Sequence, residues 1–403
     1  MTEELQYPFE DLIISRTDGR GVIQAANEAF KRIAGYDADE LIGAPHKILR
    51  HPDMPKGVFY AIWAELLAGR PVGGYVKNRA KSGDYYWVFA TISPIEGGFI
   101  SMRIRPSIGS LERTRILYSR MLKREQDQGF TPEQSAGFML EVLAKNGYPD
   151  YMNFMASRLA KELLARDREL GRPVNGILSR LDGMMPYWKD VGEECSKVFE
   201  AYATFGEVPS NLRLQARNLN EIGASLGAVA VNFTTIADKI AQDLEKYSAN
   251  FDKVNLALSR CLFLNAAQSL LEESIPTLEA EGSRGQEIDI LRVQADAYRT
   301  SAAKEIDGAV QNFNQFLRGS KRIKRDFTGL SMTRVMCAIE TAKVPHGRAD
   351  HIRSIISELD RFQGIGDNGL DKICDNLEKI EYATEDLEKL IKNAKHSDMK
   401  LAS

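Results

Sequence analysis

The sequence predicts two regions of different class: a small mixed α/β domain over residues 9–106, then an all-α helical bundle or coiled-coil region over 107–403. Three observations carry this. Short apolar runs separated by glycine and aspartate turn signals mark strands near the N-terminus. After Pro106 no convincing alternating strand occurs as far as about Lys395, and apolar residues recur at three- and four-residue steps instead. At 403 residues, the chain also exceeds one ordinary core, so two or more units are expected.

In "DLIISRTDGRGVIQAAN" two apolar runs flank Asp18-Gly19-Arg20-Gly21, a hairpin signal. "NEAFKRIAGY" places Phe30, Ile33 and Ala34 at helical spacing and stops at Gly35. "VFYAIWAELLAGR" reads as an amphipathic helix with Phe59, Ile62, Trp63 and Leu66 on one face, closed by Gly69. Three strands follow, "GGYVKNRA", "YYWVFATISPI" and "GFISMRIRP", punctuated by Gly83-Asp84 and Gly97-Gly98. Gly19, Gly21, Gly73 and Gly74 read as turn residues, and no strand–GxGxxG–helix unit occurs.

In the second region, "LERTRILYSRMLKREQ" and "MNFMASRLAKELLARDREL" carry the helical step. Thr131-Pro132-Glu133-Gln134 has a capping hydroxyl, proline at the first position and glutamine in the capping-box place. Short breaks are expected at "GEVPSN", "EGSRGQ" and "KVPHGRAD".

The formal net charge of -3 argues against a nucleic-acid binder, which would show a basic face. Cys195, Cys261, Cys337 and Cys374 are scattered without a C-x-x-C pair, against a disulfide framework or a thiolate zinc site. No run approaches the ~20 apolar residues of a membrane span. The acidic "MTEELQYPFEDL" lacks the basic start and apolar core of a signal peptide. A soluble, cytoplasmic protein is the expectation.

"RHPDMP", Arg50 to Pro55, is the most constrained stretch. Two prolines fix their own φ and push their predecessors away from the helical region. Such a segment is a loop with something to hold, or a helix start with something to cap. Arg50 and Asp53 could pair locally to hold the loop. His46 and His51 lack a third ligand for a metal site.

With these elements in order, the first region resembles a PAS domain, and more narrowly that of the aerotaxis-receptor family, flavin-binding oxygen and redox sensors of bacterial chemotaxis. The motifs are "ANEAFKRIAGYDADELIGAPHKILRHPDMP", "FYAIWAELLAGRP", "GYVKNRAKSGDYYWVFATISPI" and "ISMRIRP". The resemblance implies an α+β PAS domain: an antiparallel five-stranded sheet with flanking helices. It also implies an FAD site beside RHPDMP. Carried over, the cofactor candidates are Asn27, His46, Arg50, His51, Asp53, Asn78, Tyr86 and Trp87. Arginine offers a planar five-donor fork for phosphate or carbonyl oxygens. Asn78 can donate and accept, as a flavin's imide edge requires. Trp63 and Trp87 supply aromatic surface that stacks on an isoalloxazine or fills a core. Where the family has tryptophan after the long helix, this chain reads Gly69-Arg70-Pro71-Val72-Gly73-Gly74. Haem is the alternative cofactor, bound through His46 or His51 as in some PAS gas sensors.

Residues Arg213 to Ile240, "RLQARNLNEIGASLGAVAVNFTTIADKI", resemble a degenerate chemoreceptor tip. Ala216, Asn218, Gly227, Phe233, Ile236, Ala237 and Ile240 fall at that family's spacings. Ile222 and Ser225 replace its glutamate and arginine, and Ala230 and Val231 replace two glycines. An alanine-rich helix pair with small residues at close crossings would read the same way. The resemblance implies a chemotaxis histidine kinase and adaptor as partners. No catalytic signature accompanies it: the helical region has only His346, His351 and His396, no nucleotide boxes and no nucleophile elbow.

The expected function is redox or oxygen sensing. FAD state alters the Asn78, Tyr86 and RHPDMP surroundings, and the change passes through "ISMRIRP" and Pro106 into the helix near Leu111 of a homodimer. A cofactor-free PAS dimerisation scaffold is the reading from a different class.

Overall fold

The computed structural model describes residues 2–205, 208–217, 220–282, 285–344 and 350–401. Met1–Asp182 with Leu256–Ile306 form one compact unit, and Gly183–Asn255 with Asp307–Ser403 form a second.

The first unit is built on an antiparallel five-stranded sheet of order β2-β1-β5-β4-β3. Its strands are β1 (Ile13–Asp18), β2 (Ile23–Ala26), β3 (Val72–Arg79), β4 (Tyr85–Ile95) and β5 (Gly98–Ile104). Turn chemistry fixes the β1–β2 hairpin: Asp18 accepts from the Arg20 and Val22 amides, and Gly21 takes the positive φ of 79°. Between β2 and β3 lie α1 (Glu28–Ala34), α2 (Ala38–Leu41), a 3-10 turn (His46–Leu49) and α3 (Lys56–Leu67). Helix α1 starts on Asn27 and ends on Gly35 in the left-handed region, as its composition predicts.

One sheet face packs on these helices. Phe30, Ile33 and Ala34 of α1 meet Ile13, Tyr86, Val88 and Ala90, all buried. Burying each large apolar side chain contributes about 1.5–3 kcal/mol. The opposite face is covered by helices from beyond Pro106: α4 (Ile108–Asp127), α6 (Tyr151–Glu169), the end of α9 (Asn220–Ala280) and the start of α10 (Gln286–Thr341), while α5 (Pro132–Lys145) packs on α3 and α4. The Tyr118 and Tyr151 hydroxyls donate to the carbonyls of Tyr75 and Gly73 at 2.8 and 3.0 Å. Tyr298 donates to the Ser93 hydroxyl at 2.6 Å.

Gly73 and Gly74 lie inside β3 rather than in a turn. A Cβ at Gly73 would sit 3.1 Å from Phe89 and 3.2 Å from Phe263, and one at Gly74 would sit 2.9 Å from the Tyr151 hydroxyl. These glycines therefore admit helices onto the sheet. The Thr131 capping box at α5 forms as its sequence implies.

In the second unit α7 (Gly176–Phe205), α8 (Val208–Ala216) and α11 (Asp350–Leu401) join the remainders of α9 and α10. Ion pairs Lys239–Asp326 and Asp243–Arg322 set α9 antiparallel to α10. The core is aromatic: Trp188 stacks on Phe251 at 4.8 Å, Tyr247 on Phe316 at 4.0 Å and Phe205 on Phe362 at 3.9 Å. Ala216, Phe233, Ala237 and Ile240 of the tip-like segment are buried in this core. Gly227 and Ile236 are half-buried, while Asn218 and His346 lie outside the described residues. Among the described residues no helix is long and apolar enough to cross a membrane.

Candidate functional site

Between the inner sheet face and α3 lies a pocket of about 360 Å³, toward the small end of the ~300–1,000 Å³ range of ligand sites. The pleat decides its lining. Cross-strand partners share a face, so Asn78 and Val76 of β3, Ala90 and Ile92 of β4, and Phe99, Ser101 and Arg103 of β5 all point inward. From α3, Phe59, Ile62, Trp63 and Leu66 close the other side. The four apolar positions read from the sequence do share a face, but they line a pocket. Ile62 and Leu66 are buried, whereas Trp63 is 38% exposed and meets Phe99 edge-on at 5.6 Å.

Two buried polar atoms in the lining stand out. The Ser101 hydroxyl has no hydrogen-bond partner among the described residues, and the Asn78 amide nitrogen has only the Tyr86 phenol near it, outside ordinary hydrogen-bond geometry. Leaving such a group unsatisfied costs about 1–3 kcal/mol. A ligand with polar edge atoms would relieve that cost.

Below them lies a cation. Arg103, itself buried, donates from Nη1 to the Ser15 hydroxyl at 3.1 Å and approaches His46 Nε2 at 2.6 Å through Nη2. Burial lowers the guanidinium to about 10, so it stays charged. Burial and then Arg103 push the His46 imidazole down to about 3. His46 is therefore neutral, and its Nε2 accepts from Arg103 with the proton on Nδ1.

The RHPDMP stretch both holds and caps. Arg50 forms an isolated backbone bridge with Asn78 and lays its guanidinium over the Phe59 ring at 4.1 Å. Met54 is buried, and its sulfur accepts from the Lys77 amide at 3.2 Å. Asp53 pairs with Lys77 at 2.7 Å, so the ion pair that fixes the loop runs to β3 rather than to Arg50. The Lys77 hydrogen bond holds the Asp53 carboxyl below its usual range. His51 Nδ1 accepts from the Asp53 amide at 3.0 Å, and burial lowers the imidazole. The loop ends at Pro55, which gives α3 no side-chain cap; Glu125 of α4 takes the Lys56 and Gly57 amides at 3.0 and 3.1 Å instead.

Arg50, Lys47 and Pro45 also line a neighbouring cleft of about 950 Å³, whose further cations are Lys56 and Arg79. Among the described residues no cluster of three or more metal-ligating side chains occurs.

Of the nine sequence-selected residues, His46, Arg50, Trp63 and Asn78 line the pocket. The other five sit elsewhere for identifiable reasons. Asn27 is spent on structure: its carboxamide oxygen accepts from the Ile14 and Phe30 amides, and its nitrogen donates to Leu12 and Glu281. His51 faces the larger cleft, and Asp53 is bound to Lys77. Tyr86 is fully buried beneath the pocket, and burial raises its phenol against the pull of Arg103 and then Asn78. Trp87 follows Tyr86 on a strand and so faces the opposite way, against Tyr118 at 6.0 Å. Sequence reasoning missed Phe99, Ser101 and Arg103, whose alternation in "GFISMRI" marks one face of β5. Val72, where the resemblance expects tryptophan, is fully buried opposite Ile92, and the aromatic walls come from Trp63 and Phe99.

The pocket residues fit the ring of a flavin in chemistry. Among the described residues Ser101 offers an unpartnered hydroxyl, Asn78 a carboxamide that only the Tyr86 phenol approaches, and Trp63 and Phe99 offer aromatic faces. The volume suits a ring system, with Lys47 and Arg50 standing where the pocket meets the basic cleft.

The PAS fold family model matches residues 23–103. The aerotaxis receptor of Escherichia coli (strain K12) is 42% identical over 111 residues, 26% of this chain and 22% of that protein. The nitrogen fixation regulatory protein of Klebsiella pneumoniae is 34% identical over 82 residues, 20% of this chain and 17% of that protein. The PAS domain crystal structure of a protein from Colwellia psychrerythraea is 24% identical, covering 23% of this chain and 85% of its own, at a TM-score of 0.21. The chain spans about a fifth of the length of these curated relatives. The five-stranded antiparallel sheet, its helix-covered pocket and the sequence match agree: residues 23–103 are a PAS domain, related to that of the aerotaxis receptor.

Proposed function

We propose that this chain is a cytoplasmic redox or oxygen sensor whose PAS pocket takes the isoalloxazine ring of FAD, and whose helices pass the state to a chemotaxis histidine kinase and its adaptor. The observation that carries the reading is the unpartnered Ser101 hydroxyl beside the Asn78 carboxamide, whose only side-chain neighbour in reach among the described residues is the Tyr86 phenol, set between aromatic walls. The 42% identity to the aerotaxis receptor over this region supports the choice of flavin and of chemotaxis.

A bound flavin supplies reversible redox chemistry with a change in charge and hydrogen bonding at its ring. The chain's own residues do the rest. Asn78 can rotate its carboxamide to donate or accept. Arg103 holds a fixed positive charge under the pocket, and His46 remains neutral beside it. Arg50, Lys47, Lys56 and Arg79 supply cations suited to phosphates. The cofactor supports sensing, and the reading assigns the chain no catalytic step. A homodimer fits a two-state output.

The outward path runs through the sheet. Asn78 and Tyr75 lie on one strand but on opposite faces. The Tyr75 hydroxyl donates to Glu162 of α6, whose other oxygen takes the Ser107 amide just ahead of α4, both at 2.5 Å.

The test is the absorption spectrum of the full chain after incubation with FAD and removal of free cofactor. A flavin spectrum that bleaches with dithionite and is lost in Asn78→Ala supports the reading. A Soret band moves the cofactor to haem. A colourless protein leaves the PAS domain as a scaffold.

A further inference from the structure

An open groove of about 590 Å³, lined mostly by exposed residues, lies between α4 and α5 and shares no lining residue with the pocket or the cleft described above. Its walls carry three cations, Arg120, Arg124 and Lys145, against one carboxylate, Glu141. Arg120 and Arg124 are four apart on α4, so both project from the same side of that helix.

The two guanidiniums are oriented by aromatic rings. Arg124 lies over Phe138 at 4.1 Å and near Phe130 at 5.5 Å, and Arg120 lies over Phe138 at 5.5 Å. Such stacking uses the planar face of a guanidinium and leaves its N–H edge available. Neither side chain donates a hydrogen bond or forms an ion pair among the described residues: the Arg124 contacts there run through its backbone carbonyl. Packing alone would account for the stacking. Arg120 is exposed and Arg124 half-buried, so the rings hold both guanidiniums in place while their N–H edges stay open to a ligand arriving from solvent.

We infer that this groove is a binding site for a small phosphate-bearing anion, held by Arg120 and Arg124 with Lys145 as the third charge. The ligand class follows from the donors. Paired forks match the oxygens of a phosphate in bidentate fashion, and a third cation favours a di- or polyphosphate over a single carboxylate. The site lies where α4 meets α5, so occupancy would brace that helix pair.

The probe is inorganic pyrophosphate, titrated by calorimetry into the full chain at low salt. The inference expects saturable binding with one site per chain at this groove. Charge-assisted hydrogen bonds of this kind are each worth about a tenfold change in affinity. Arg120→Gln with Arg124→Gln should therefore abolish measurable binding, while Arg124→Lys, which keeps charge but loses the fork, should weaken it about tenfold. Unchanged thermal unfolding of the variants separates a lost site from a lost fold. The basic cleft near Arg50 supplies the comparison. Binding that survives the arginine double variant but is lost in Lys56→Gln with Arg79→Gln overturns the inference, as does the absence of binding to the parent chain.

Discussion

The Tyr75 hydroxyl donates to Glu162 at 2.5 Å across the sheet–helix boundary, and Glu162, 1% exposed, is one of the few carboxylates buried in the described structure. Its second oxygen accepts the Ser107 amide at 2.5 Å. One side chain of α6 thus touches the strand that carries Asn78 and the residue that opens α4.

Removing the Tyr75 hydroxyl takes one donor from that buried acid. Tyr75→Phe keeps the ring against Phe89, 4.9 Å away edge-on, and removes only the hydroxyl. The variant is expected to lose about 1–3 kcal/mol, read as a shift of the urea midpoint with unchanged slope. A loss below a few tenths would show that Glu162 finds another donor.

Gly57 sets a sign conflict between propensity and packing. Alanine is the better helix former by about 0.8–1 kcal/mol. Yet a Cβ here would lie 2.6 Å from both the Ala136 amide nitrogen and the Ser135 hydroxyl, and backbone cannot move aside cheaply. Overpacking of this kind costs about 1–3 kcal/mol, so Gly57→Ala is expected to destabilise. Chemical denaturation of the pair of proteins decides the sign.

His46 should make stability fall with acid. Its pKa in the fold is about 3, against an ordinary value of 6.5. Between those values the unfolded chain binds a proton that the folded chain refuses, so stability is intact above about pH 6.5 and declines as pH drops toward 3. The slope is at most about 1.4 kcal/mol per pH unit, and less where solvent reaches the half-buried ring. From pH 7 to 5 the parent chain should lose about 1–2 kcal/mol more than His46→Gln, which keeps an acceptor for Arg103. Equal slopes in the two proteins would contradict the assignment.

The two faces of β4 and its neighbours give opposite expectations for flavin content. Asn78→Ala and Ser101→Ala alter pocket atoms and should lower retained flavin. Trp87→Phe alters the face toward Tyr118 and should leave it unchanged, although Trp87 belongs to the same sequence motif. Flavin absorbance per chain after gel filtration makes the comparison, and loss in Trp87→Phe equal to that in Asn78→Ala would contradict the pocket.

Local chemistry made much of the PAS fold legible. Gly21, Gly35 and Gly69 each take positive φ where the sequence marks a turn or helix stop, and the five strands fall in the apolar runs between the turn signals. The site was half legible. His46, Arg50, Trp63 and Asn78 came from motif and chemistry, but Tyr86 and Trp87 are neighbours on a strand and cannot both face one pocket. That alternation was available in the sequence, as was the Phe99, Ser101, Arg103 face. The cover on the outer face was not. Phe263 and Tyr298 reach the sheet from far along the chain, and only Gly73 and Gly74 hint at such an approach. The tip-like spacing of Phe233, Ala237 and Ile240 marks residues that pack inward, and a periodic apolar pattern does not distinguish a core from a docking face.

Amide hydrogen exchange of the flavin-loaded full chain, oxidised and then reduced with dithionite, tests the central claim most directly. The account predicts that reduction changes protection in β3 and β5 and also at the start of α4 and around Glu162 in α6, with Tyr75→Phe suppressing the helical part. Exchange that changes only in the pocket strands, or nowhere, would contradict a sensor whose sheet relays its state to the helices.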